Sequence, residues 1–91
     1  MLLLVRIDLA NADVALFEDY ERQVLALLGA HGARVEERLR AADNASETHL
    51  LYFPDEAAFE NFREDPVRAE LQAQWAECRA TAQVERVERI G

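Results

Sequence analysis

LLYFPDEAAFENFREDP, residues 50–66, joins an apolar run to an acidic, aromatic segment across a proline. An apolar run ending at Phe53 meets Pro54, which has no N–H to give to a sheet ladder, so a strand stops there. Asp55 follows as a good helix N-cap, and Glu56 places negative charge in the first turn, where the helix dipole favours it. Phe59 and Phe62 are one turn apart and face the same way. Pro66 disfavours helical geometry at Asp65, so this helix ends. Asp65 then caps a second helix with Pro66 at its first position, where proline is well tolerated. Beyond it, Leu71, Trp75 and Cys78 share one face. The stretch predicts a strand running directly into a bent helical segment.

Working outward, THLLYF puts His49, Leu51 and Phe53 on one face of a strand and Thr48, Leu50 and Tyr52 on the other. ADNASE before it is a polar turn cluster. ARVEERLRA, residues 33–41, alternates again. Val35 and Leu39 face one way with Glu37 between them; Arg34, Glu36, Arg38 and Arg40 face the other. Two strands around a short polar loop make an antiparallel hairpin.

The first strand is LLLVRIDL, with Leu3, Val5, Ile7 and Leu9 on its apolar face and Leu2, Leu4, Arg6 and Asp8 on its mixed face. Asn11 or Asp13 caps the helix after it. Phe17, Tyr20, Val24, Leu27 and Leu28 form that helix's buried stripe, with Glu18, Glu21 and Arg22 outside. Gly29 and Gly32 sit where the helix ends. His31 between them suits the negative end of the helix dipole. In the C-terminal TAQVERVERI, Val84, Val87 and Ile90 recur with period three. A strand carrying a bulge explains that spacing, and a continued helix is the alternative.

The order β-α-β-β-α-β is the ferredoxin-like arrangement: a four-stranded antiparallel sheet with helices on one face, in a single α+β domain spanning residues 1–91. Leu3, Val5, Ile7, Leu9, Val35, Leu39, Leu51 and Phe53 face the helices. The other face mixes Leu2, Leu4, Leu50 and Tyr52 with Arg6, Asp8, Glu36 and Arg38. It is too apolar to stay wet and too charged for an ordinary dry core. Two copies set face to face would bury the leucines and pair the charges, so a homodimer is expected through Arg6, Asp8, Glu36, Arg38, Leu50 and Tyr52.

Net charge is −8, and all ten basic residues are arginine. Without a basic cluster, neither nucleic acid nor an anionic membrane is an expected partner. The N-terminal apolar run is short and broken by Arg6 and Asp8, unlike a signal peptide, and no stretch reaches bilayer-spanning length. Cys78 is the only cysteine, so no disulfide framework exists. A cytoplasmic location is expected. A chain of this size buries only roughly 60–65% of its unfolded surface, which gives a thin core that a partner subunit would help.

THLLYFPDEAAFENF, REDPVRAEL after it and the element order resemble the dimeric α+β-barrel superfamily, which includes the antibiotic-biosynthesis-monooxygenase-like proteins. The resemblance implies dimerisation through the sheets and, in members with known activities, a pocket between sheet and helices. It also argues against haem degradation: Arg6 and Asp8 flank the place of the strand asparagine, while Phe62 and Leu71 stand where a tryptophan and a histidine are used. No cofactor is expected.

The candidate catalytic pair is His49 with Glu37. Antiparallel pairing around residues 42–47 puts Glu37 opposite or diagonal to His49 on the helix-facing side, where a carboxylate orients an imidazole for general-base work. Tyr20, Phe59, Phe62 and Trp75 are candidate ligand-binding residues of an apolar cleft. The two histidines and one cysteine make no recognisable metal site. Three functions fit: a cofactor-free monooxygenase or isomerase acting on an apolar or aromatic metabolite, a non-catalytic binding module, or a structural dimer with a filled cleft.

Overall fold

A computed structural model describes all residues, Met1–Gly91. Four strands form one antiparallel sheet: β1 (Leu2–Asp8), β2 (Arg34–Arg40), β3 (Ser46–Tyr52) and β4 (Thr81–Val87), in spatial order β2-β3-β1-β4. Helix α1 (Val14–Leu25) and a 3-10 turn (Leu28–His31) connect β1 to β2. Helices α2 (Glu56–Arg63), α3 (Pro66–Glu70) and α4 (Gln72–Cys78) connect β3 to β4. This is the ferredoxin-like βαββαβ order.

Aspartates start the helices as the sequence implies. The Asp13, Asp55 and Asp65 carboxylates accept from the backbone N–H groups of Leu16, Ala58 and Val67. Pro66 opens α3 and makes the break between α2 and α3. Of the two glycines after α1, only Gly32 takes a left-handed conformation, at φ 69°, and a Cβ there would lie 3.0 Å from the Pro54 ring. His31 Nε2 donates to the Asp65 carboxylate across 2.8 Å, tying the end of the α1 segment to the α3 cap. That bond, then the Val67 N–H, hold the Asp65 carboxyl below its usual range.

The core lies between sheet and helices in two adjoining clusters. Leu3, Tyr20, Val24, Leu28, Leu51, Phe53 and Phe62 build one; Ile7, Leu9, Phe17 and Cys78 build the other. Val5 and Trp75 pack against both. Phe59 and Phe62 both meet the Phe53 ring, at centroid distances of 5.3 and 5.5 Å.

Two strands depart from the expected pattern. β4 carries no bulge: it pairs with β1 without a shift from Thr81 to Val87, placing Val84 opposite Val5 and Val87 opposite Leu2, and Ile90 lies beyond it. The bulge is in β2, between Val35 and Glu37. Val35 pairs with Leu51, but Glu37 then pairs with Leu50 and Arg38 with His49. One extra residue, Glu36, reverses the facing of everything after it. Leu39 therefore leaves the core for the open face and is 59% exposed. Arg38 moves the other way, from the expected open face to the helix side, and so leaves the expected dimer-interface set.

The open face of the sheet keeps Leu2, Leu4, Leu50 and Tyr52, each half-buried. The Arg34 guanidinium lies over the Tyr52 ring at 4.1 Å. The Cα trace measures 35 × 33 × 17 Å, a slab with helices on one side only. No helix is long and apolar enough to cross a membrane.

Candidate functional site

A cleft of about 710 Å³ opens between the helices and the β1–β4 half of the sheet. The helices do not cover β4, so Val84 is left open at the cleft's edge. Val5, Ile7, Leu51 and Phe53 form the apolar floor, and Tyr20, Phe59, Phe62 and Trp75 form the wall. All four aromatics singled out from sequence thus line one cavity. Tyr20 and Trp75 are 5.1 Å apart between ring centroids. Burial raises the Tyr20 pKa, opposed by the nearby Arg68 charge.

Two titratable groups from different elements meet at the back of this cleft. His49 comes from β3 and Glu21 from α1. His49 is 2% exposed, Glu21 6% and the neighbouring Glu47 3%. His49 Nε2 lies 2.5 Å from a Glu47 carboxylate oxygen, and Nδ1 lies 3.6 Å from Glu21. The second distance is too long for a hydrogen bond.

Glu47 is the anchor. Arg38 Nε reaches it at 3.0 Å, and Arg40 reaches it through Nε at 2.9 Å and Nη2 at 2.7 Å. Burial alone would raise this carboxyl, but hydrogen bonds from His49, Arg40 and Arg38 outweigh it and hold the pKa down. An ionised Glu47 only accepts, so His49 Nε2 carries the proton and Nδ1 is the free acceptor. Burial lowers the His49 pKa against the pull of Glu47, which keeps the ring neutral.

Glu21 has the opposite environment. Burial first, and the Glu47 charge second, push its pKa up to about 7, with Arg38 opposing. Two carboxyl groups within one cluster are therefore driven apart, one ionised and one poised to titrate near neutrality. The ligand atoms of Glu21, Glu47 and His49 lie within 4.8 Å of one another. A dication there would have to displace two guanidinium groups from Glu47, so the donor set suits proton transfer better than metal binding.

Glu37, expected beside His49, is on the opposite face of the sheet. The β2 bulge pairs it with Leu50, and it is exposed. Its place near His49 is taken by Glu47 and by Glu21, which was expected outside; neither was singled out from sequence. Glu21 had a signal: it lies four residues after Phe17 and three before Val24, inside the buried stripe. Glu47 had one too, because extending the parity of Leu51 and His49 back one step reaches it. Among the expected interface residues, Arg6 and Asp8 border a shallow polar depression on the open face. Glu36 lies on the same face, 2.8 Å from Arg34 Nε, with Arg89 at 4.0 Å.

No family profile matches the chain, and no curated protein matches its sequence. Solved structures do match. A point mutant of SnoaB, a cofactor-independent oxygenase from Streptomyces nogalater, superposes with a TM-score of 0.74 at 17% identity, over 98% of this chain and 94% of that one. This chain shares its fold. A candidate antibiotic biosynthesis monooxygenase from Nitrosomonas europaea gives 0.70 at 11% identity, covering 96% and 98% of the two chains. A further antibiotic biosynthesis monooxygenase gives 0.64 at 13%, covering 98% and 100%. The expected ferredoxin-like βαββαβ fold is thus that of these neighbours.

Proposed function

We propose that this chain is a small enzyme that removes a proton from an apolar or aromatic metabolite, in the manner of a cofactor-free monooxygenase or an isomerase. Proton abstraction is the step both reactions share. An enolate or phenolate so formed either takes its proton back at another carbon or reacts directly with dioxygen. The observation that carries the reading is the poised Glu21 carboxyl, with its pKa near 7, beside a neutral His49 at the back of an apolar cleft. Glu47, fixed by Arg38 and Arg40, orients the imidazole and leaves Nδ1 free to accept. SnoaB, a cofactor-independent oxygenase, shares the fold and favours this reaction class by analogy alone.

The test is hydrogen–deuterium exchange of a carbon acid. An aromatic ketone such as 2-tetralone is incubated with protein in D2O and its acidic C–H signals are followed by NMR. Exchange faster than buffer, lost in Glu21→Gln and His49→Ala, supports the reading. Exchange no faster than buffer favours a non-catalytic binding module. The near-complete burial of His49 and Glu21 is the observation on that side.

A homodimer built through the open sheet face completes the proposal. Leu2, Leu4, Leu50 and Tyr52 would supply its apolar centre and Arg6, Asp8 and Glu36 its polar rim, with Leu39 added and Arg38 removed by the bulge.

A further inference from the structure

Arg68 is anomalous among the arginines. Six of the ten have a carboxylate within 4.0 Å, leaving Arg6, Arg68, Arg79 and Arg86 without one. Three of those four are exposed; Arg68 alone is half-buried, in the wall of the cleft. Its Nη1 donates to the Arg63 carbonyl at 3.3 Å, its guanidinium carbon lies 5.3 Å from the Phe62 ring centroid, and its buried Nε has no partner. A partly desolvated cation without a counter-charge is unfavourable. None of the chain's eighteen acidic residues brings a carboxylate within 4.0 Å of it. Arg63 adds a second cation on the same wall, over the Phe59 ring at 5.5 Å, although it is paired with Glu60 at 3.2 Å.

We propose that the cleft takes an aromatic acid, its ring against Tyr20, Trp75 and Phe59 and its carboxylate on Arg68. The assignment deepens the enzymatic reading and rests on the same cleft being a ligand site. A planar carboxylate matches the guanidinium fork. The cleft volume falls within the range of roughly 300–1,000 Å³ typical of small-molecule sites. Elsewhere the net charge of −8 repels such a ligand, so an unpaired cation in the wall gives selectivity as well as affinity. Arg68 comes from α3, whereas His49 comes from β3 and Glu21 from α1. The acid group is thereby held by an element separate from those that bring the proton acceptors.

Isothermal titration calorimetry with 2-naphthoate and its neutral counterpart 2-naphthamide tests the assignment. Wild-type protein is expected to bind the carboxylate at least about tenfold more tightly, the effect of one charge-assisted contact. Arg68→Gln is expected to bring the carboxylate to the amide's affinity, with a wild-type far-UV circular dichroism spectrum showing that the variant folds. Arg68→Lys keeps the charge without the fork and is expected to retain part of the preference. Equal wild-type affinity for the two compounds overturns the carboxylate assignment and leaves the cleft reading standing. So does a preference that survives Arg68→Gln. Failure of wild-type protein to bind either compound overturns both.

Discussion

Glu21 ties the candidate chemistry to stability. Its carboxyl titrates near 4.5 in the unfolded chain and at about 7 in the folded one. Between those values the folded state keeps a proton that the unfolded state has lost, so this group's contribution to stability falls as pH rises. The cost is complete above pH 7 and amounts to roughly 3 kcal/mol. Glu47, His49 and Arg38 face the same carboxyl and titrate on their own terms, so the comparison that isolates Glu21 is wild type against Glu21→Gln. The variant is expected to melt higher than wild type at pH 8 and to lose that advantage at pH 4, measured by thermal unfolding at both. Glu47→Gln acts in reverse. It removes the charge that two arginines and His49 share. Because Arg38 and Arg40 reach solvent, the loss is expected at the low end for a broken ion pair, roughly 2–3 kcal/mol by urea unfolding at pH 7.

At the scale of elements, the starts and stops were written in the sequence and one register was not. Pro54-Asp55 and Asp65-Pro66 announce α2 and α3 because proline removes a donor and aspartate supplies an acceptor, both local effects. The β2 bulge is not local. Glu36 and Glu37 are alike in sequence, and only pairing with β3 decides which of them is extra. That single ambiguity carried Glu37 toward the site and hid the true facing of Arg38 and Leu39. Glu21 and Glu47 are hidden differently: the charge of Glu21 implies the outer face of its helix, and Glu47 closes a polar turn cluster, although both lie at core spacing. The bulge yields its own expectation. Deleting Glu36 leaves Val35 opposite Leu51 and Glu37 opposite Leu50, so the variant should remain folded with Arg38 still on Glu47. Amide exchange of β2 and β3 checks it; wholesale loss of protection would mean that the bulge is required. On the helical side, Trp75 joins α4 to α1 through Tyr20 and borders both core clusters. Trp75→Ala is expected to cost about 3 kcal/mol, the lower end for large aromatic deletions because the ring is half-buried, read as a shifted urea midpoint.

For the whole molecule, the thin slab and its half-apolar open face set the expectation of a second copy. Such an interface should bury at least about 1,200 Å² in total. Leu50→Asp places an unpaired charge at its centre and is expected to dissociate or unfold the protein. Sedimentation equilibrium at micromolar concentration decides it: a stable wild-type monomer overturns the dimer, and a Leu50→Asp variant that still dimerises overturns its placement on the open face.

The sheet order has a consequence for biosynthesis. β1 is a central strand, and one of its two neighbours is β4, so Leu2 is laid against Val87. The ribosome makes the first of these residues long before the last. Until β4 has left the exit tunnel, β1 has one bare hydrogen-bonding edge. Closure of the sheet must therefore wait for residues 81–87, and the strand edge made first stays unpaired until then.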